Sequence, residues 1–175
     1  MKKLKPEQLI SARKISGRVG SLGRKISEDY EGRELTLIAV SKGALVFAVE
    51  LLKKISIPLK FDIISASSYR GTKKSSDFKI NFHPAHELIR GRHIIIVDDI
   101  LDTGKTLSAL GYFIMGLSPE SVEMCVLLDK SSERTVDVKC RYWGFKIPDE
   151  FVVGYGLDFD EYFRNLPYIG VIREK

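Results

Sequence analysis

The stretch 94–106, IIIVDDILDTGKT, sets three carboxylates, Asp98, Asp99 and Asp102, against a Thr-Gly-Lys-Thr turn. An apolar run that ends in acids and turns helical through Thr103, Gly104, Lys105 and Thr106 has the outline of a phosphate-binding turn. The generic nucleoside-triphosphate form, G-x-x-x-x-G-K-[ST], is matched at Gly104, Lys105 and Thr106, but Asp99 stands where its first glycine belongs. That glycine lets the backbone wrap a phosphate with its N–H groups, whereas aspartate adds a Cβ and a charge that opposes the anion. The mismatch argues against a nucleoside triphosphatase.

A ligand that reconciles acids with a phosphate turn carries one phosphate, several hydroxyls and a metal or cationic portion near the carboxylates. The backbone N–H groups of Thr103 to Thr106, at a helix start, suit the phosphate, helped by the helix dipole and the threonine hydroxyls. Asp98 and Asp99, at the end of a strand, suit a ribose diol. Asp102 is left to face the sugar's reacting carbon. Its structural alternative is a turn-forming Asx cap.

The elements that must position these residues follow from periodicity. The run from His93 to Val97 is almost pure Ile and Val, as befits a central parallel strand covered on both faces. Leu107, Leu110, Ile114 and Leu117 then recur at helical spacing up to Pro119. Upstream, Leu35 to Val40 reads as a buried strand, Ser41-Lys42-Gly43 as a turn, Ala44 to Lys54 as a helix and Leu59 to Ala66 as a second strand, which is a parallel crossover unit. A further strand is predicted from Val122 to Leu128. The polar stretch 67–78, SSYRGTKKSSDF, has no periodicity and reads as an exposed mobile loop or a loose hairpin arm. The tail from Lys146 mixes short β-prone pieces with loops, as a flanking hood would. Together these predict a doubly wound α/β fold with a mostly parallel sheet flanked by helices, in one domain spanning 1–175, and a ligand beyond the carboxyl ends of the strands.

The 175 residues and 44% hydrophobic content suffice for a full core. The net charge of +5 is concentrated in residues 1–25, where eight basic side chains accompany Glu7 alone, so the remainder is slightly acidic. Ile15, Val19, Leu22 and Ile26 run through that basic segment at helical spacing, and a solvated basic face on an amphipathic helix is the expected outcome, with no nucleic-acid or membrane partner. The N-terminus lacks a signal-peptide pattern and no apolar run is long enough to span a bilayer, so a cytoplasmic protein is expected. Cys125 and Cys140 have no metal-like or redox spacing and are read as free thiols. His83, His86 and Glu87, with Pro84 between the histidines, make a poor metal site.

The string VDDILDTGKT resembles the phosphoribosyl-pyrophosphate signature of the type I phosphoribosyltransferases. The hypoxanthine-guanine branch is resembled in four further places: SKG after the first strand, SSYRG at the mobile loop, LLDK at the end of the later strand, and EFVVGYGLDFDEYFRNLPYIGVI at the C-terminus. The resemblance implies transfer of phosphoribose from phosphoribosyl pyrophosphate to N9 of a 6-oxopurine, with Mg²⁺, in a homo-oligomer, dimer or tetramer.

By the same resemblance, Asp102 is the catalytic acid/base that exchanges a proton with purine N7. Asp98 and Asp99 bind the ribose hydroxyls directly or through Mg²⁺ water; Asp98 stands where the family often has glutamate, one methylene longer. Lys42 and Gly43 bind pyrophosphate through backbone N–H groups, in relatives often beside a cis peptide at the Ser41–Lys42 position, and Arg164 reaches the same group. Lys130 directs its ammonium at purine O6, Phe151 stacks on the base and Val152 binds its edge. Asp158 is a magnesium ligand. Ser68 and Tyr69 open a loop that closes over the sugar, whereas Asp160 and Glu161 have no matching role and are expected to be solvated. A regulator that senses phosphoribosyl pyrophosphate without catalysis is the competing class, and Asp102, Lys130 and Asp158 argue against it. A xanthine-preferring transferase would change the substrate but not the chemistry.

Overall fold

A computed structural model describes residues 5–68 and 78–173 of the chain. The strands are β1 (Glu7–Ile10), β2 (Leu35–Val40), β3 (Leu59–Ser68), β4 (Phe78–Phe82), β5 (His93–Leu101), β6 (Ser121–Asp129), β7 (Tyr142–Lys146), β8 (Val152–Val153) and β9 (Ile169–Val171). The helices are α1 (Ala12–Asp29), α2 (Leu45–Leu52) and α3 (Lys105–Met115).

A six-stranded sheet runs in the order β4-β3-β2-β5-β6-β7, and only the β3–β4 pair is antiparallel. Its central strands are apolar on both faces because both are covered. One core cluster joins Leu35, Leu37, Ile95 and Val97 to α1 and α2, and the other joins Ile38, Ile94 and Ile96 to α3. The alternation of Ile94 and Ile96 with Ile95 and Val97 divides β5 between them.

The first helix keeps the predicted stripe. Ile15, Val19, Leu22 and Ile26 are buried, Ser11 caps the start by accepting the Lys14 N–H at 3.4 Å, and Arg13, Lys14, Arg24 and Lys25 face outward. At Gly23 the helix meets the turn after α2 so closely that an added Cβ would fall 2.5 Å from Lys54 Cβ. None of the described helices is long and apolar enough to cross a membrane.

Two features go beyond the sequence pattern. The stretch read as a loop or loose arm is at its base an antiparallel ladder, with Ser68 opposite Phe78. The hood is a second sheet, β1-β9-β8, in which the N-terminal Glu7–Ile10 pairs with the C-terminal Ile169–Val171. Both ends of the chain therefore build one cover. Chain order reverses between β2 and β5, which is where an open α/β sheet leaves its ligand crevice.

Candidate active site

Two strand-to-helix turns face each other at that reversal. One leaves β2 through Ser41, Lys42 and Gly43, with a cis peptide between Ser41 and Lys42. The other leaves β5. Because β2 pairs with β5 only as far as Val97, Asp98 and Asp99 lie where β2 has turned away. A Cβ built on Gly43 would fall 1.8 Å from Asp99 Oδ2, so only glycine lets the first turn rest against the acid pair.

Asp98 is 9% exposed and accepts the Asp99 N–H at 3.0 Å. Burial, and next the adjacent Asp99 charge, push its pKa well above the ordinary 3.8. Burial raises Asp99 as well, against the lowering effect of its hydrogen bonds and of the positive Arg164. A buried carboxyl and its half-buried neighbour resist joint ionisation and favour a ligand that brings positive charge or hydroxyl donors.

Beyond them the chain turns through exposed Asp102 and half-buried Thr103 into Gly104, which takes φ 86° immediately before α3. No side chain caps the helix start; the Lys105 N–H reaches Thr103 Oγ1 at 3.4 Å. The amides of the first turn are thus donors for an incoming anion, with exposed Lys105 and Thr106 beside them.

The back of this turn is clamped by a residue with no sequence signal. Arg134 donates from Nε to Asp102 O at 3.0 Å and pairs with Asp129 Oδ1 at 2.5 Å. The Thr135 and Val136 N–H groups both donate to Thr103 O, at 3.0 and 3.2 Å. In the sequence Arg134 is one basic residue in a polar loop. Only the return of that loop beneath the turn gives it a task.

Lys130 follows β6, and its own N–H donates to Leu101 O at 3.0 Å. The side chain is 13% exposed and its ammonium pairs with Asp149. Burial works to lower its pKa, but the Asp149 hydrogen bond and the charges of Asp102, Asp149 and Glu133 outweigh it and raise the value. Lys130 therefore stays charged, within the field of Asp102. Phe151, two residues beyond Asp149, is no core aromatic: it is 55% exposed, and its ring stands edge-on to Phe159 at 5.6 Å and 89°. Val152 is buried in β8.

The hood loop closes the far side. Gly156, at φ 105°, sits so near the first turn that a Cβ would meet Gly43 O at 2.1 Å. Arg164 donates to Gly156 O at 2.7 Å and pairs with Asp158 Oδ1 at 2.7 Å, and its Nε is buried with no partner. Glu161, expected to be merely solvated, pairs with Lys42 at 3.3 Å and with Arg164 at 3.4 Å. The reason is the turn itself, which brings its carboxylate over both cations; Asp160 is exposed.

The two turns and the hood loop thus bring together Lys42, Gly43, Asp99, Asp158 and Arg164, while Asp102 and Lys130 share a second neighbourhood. Ser68 is the last residue of β3, and Tyr69 lies outside the described residues. The His83 ring makes a 2.9 Å contact to Pro84 O and stacks edge-on against Phe113, at a 5.3 Å separation, as a packing residue would.

The phosphoribosyl transferase domain matches residues 7–160. The hypoxanthine phosphoribosyltransferase of Salmonella typhimurium is 41% identical over 169 residues, covering 95% of this chain and 94% of that protein. The hypoxanthine-guanine phosphoribosyltransferase of Streptococcus pneumoniae is 40% identical, covering 95% of this chain and 93% of that protein. A crystal structure of a hypoxanthine-guanine phosphoribosyltransferase from Bacillus anthracis superposes with a TM-score of 0.88 at 40% identity, covering 98% of this chain and 99% of that one.

Proposed function

The chain belongs to the hypoxanthine(-guanine) phosphoribosyltransferase family, and on that basis we propose that it serves purine salvage. The reaction is transfer of the 5-phosphoribosyl group of phosphoribosyl pyrophosphate to N9 of hypoxanthine or guanine, giving IMP or GMP and pyrophosphate. The observation that supports this best is the Asp102–Lys130 neighbourhood, an acid and an obligate donor beside an uncapped helix start.

The amides from Thr103 to Thr106 hold the 5-phosphate, with the helix dipole behind them. Asp98 and Asp99 accept from the ribose hydroxyls, and their charge favours the cationic ribose that develops as the bond from C1 to pyrophosphate breaks. The electron pair leaves with pyrophosphate, whose charge Arg164 and the amides at Lys42 and Gly43 receive. Purine N9 attacks C1 while Asp102 takes the proton from N7, a step of the kind that contributes about 10²- to 10⁴-fold.

Lys130 selects the base. Its ammonium has only donors, which match the O6 acceptor of hypoxanthine or guanine and oppose the amino group of adenine; a site built this way discriminates by as much as about 10⁴. Phe151, more than half exposed, stacks on the base, and Val152 meets the purine edge through its backbone.

Asp158, Asp98 and Asp99 fit a magnesium ion in ligand chemistry, being hard oxygen donors on the pyrophosphate and ribose sides. Among the described residues no three ligating side chains converge. Magnesium held by one or two carboxylates together with substrate oxygens needs no such cluster. When bound, it neutralises charge on the leaving group.

The test is to mix the purified protein with Mg²⁺, phosphoribosyl pyrophosphate and each of hypoxanthine, guanine, xanthine and adenine, and to follow nucleotide formation by absorbance. Product from hypoxanthine or guanine but not adenine is expected. Tight binding of phosphoribosyl pyrophosphate without turnover of any base would instead favour a sensor.

A further inference from the structure

Glu161 sits where an anion of the substrate should be. Its Oε2 lies 3.3 Å from Lys42 Nζ and 3.4 Å from an Arg164 guanidinium nitrogen, so a single carboxylate oxygen bridges two cations. These cations come from different parts of the fold, one from the turn after β2 and the other from the hood loop. The loop is shaped to deliver the carboxylate. Asp160 and Glu161 take φ 51° and 65°, an uncommon conformation for residues with a side chain, and the Glu161 N–H donates to Asp158 Oδ2 at 2.9 Å.

Stability does not account for this arrangement. The side chains of Lys42 and Glu161 are 70% and 66% exposed, and ion pairs so open to water add little to folding. Arg164 already has a carboxylate partner in Asp158 at 2.7 Å. The Glu161 charge is therefore surplus to the fold, yet it holds Arg164, assigned above to pyrophosphate, and the ammonium of Lys42, whose amide is assigned to the same group.

We infer that Glu161 is a resident anion that sets the affinity of the pyrophosphate subsite. It occupies Lys42 and Arg164 when the subsite is empty, yields them to the pyrophosphate group of the incoming substrate, and reclaims them as pyrophosphate leaves. An entering phosphate must break the contacts of Glu161, and once seated it lies against a displaced like charge. Both effects weaken pyrophosphate binding and speed its release, without contact to the purine or the reacting carbon. The inference rests on the phosphoribosyltransferase reading.

The experiment titrates inorganic pyrophosphate with Mg²⁺ into the parent protein, E161Q, E161A and the charge-retaining E161D by calorimetry, and measures steady-state kinetics beside it. Exposed charge pairs correspond to about two- to fivefold in binding, so E161Q and E161A should bind pyrophosphate tighter by about that factor. E161D should stay near the parent. The KM for phosphoribosyl pyrophosphate should fall in the two neutral variants while the KM for the purine does not move, a split that a purely structural residue would not give. Equal or weaker pyrophosphate binding by E161Q and E161A overturns the inference and leaves the reaction assignment standing. If the parent itself neither binds pyrophosphate nor forms nucleotide, the reaction assignment fails and the inference with it.

Discussion

Gly43 and Asp99 compete for one volume: the position a Cβ would take on Gly43 is 1.8 Å from Asp99 Oδ2. The turn after β2 and the acid pair that ends β5 are therefore interlocked, and the hood joins them through Gly156, whose missing side chain leaves room for Gly43 O.

Gly43→Ala forces either the turn or the carboxylate to move. Overpacking of this kind costs about 1–3 kcal/mol, and the displaced turn should raise the KM for phosphoribosyl pyrophosphate more than the KM for the purine. Thermal unfolding and the two KM values check this; a variant with the parent's melting point and kinetics removes the interlock from the account.

Asp98 predicts a stability that falls as pH rises. Its folded pKa is raised above 3.8, first by burial and then by Asp99, so the protonated form is the one the fold prefers. That contribution is complete below about pH 3.8 and is lost as pH climbs through the raised folded value. Asp98→Asn keeps an acceptor for the Asp99 N–H and abolishes the ionisation. Without ligand or Mg²⁺ it should melt higher than the parent at pH 8, the difference shrinking toward pH 4, and it should lose activity. A lower melting point at pH 8 would count against the electrostatic reading.

Asp102→Asn retains the turn but has no carboxylate to take a proton. Turnover should drop at least about tenfold while the affinity for phosphoribosyl pyrophosphate changes little. Calorimetry and single-turnover rates separate the two. Undiminished turnover excludes Asp102 as the proton acceptor.

Arg134→Ala removes the clamp on Asp102 O and leaves Asp129 without its partner. Hydrogen bonds involving charged groups contribute about 1.5–3 kcal/mol, and a loosened acid turn should lower kcat with a modest change in purine KM. Lysine should restore little, because the guanidinium reaches Asp102 O and Asp129 at once and a single ammonium does not reproduce that fork. Full rescue by Arg134→Lys would reduce the role to charge alone.

The sequence by itself determined the sheet's central strands, because Leu35–Val40 and His93–Val97 are apolar apart from Thr36 and His93, and only a strand covered on both faces accommodates that. The phosphate turn, its acids and their family resemblance were equally plain, since Asp98 to Thr106 are contiguous and their spacing carries the chemistry. What the sequence left undetermined depends on contacts between distant segments. The pairing of β1 with β9 into one hood joins residues more than 150 positions apart, and the strand shortness there gives almost no periodic signal. Arg134 under the acid turn, Asp149 on Lys130 and Glu161 across Lys42 and Arg164 were likewise invisible, because a charged residue in a polar loop looks the same in sequence whether it is solvated or paired. Which side chains meet across the site is set by how three turns pack, and only the tertiary structure decides that.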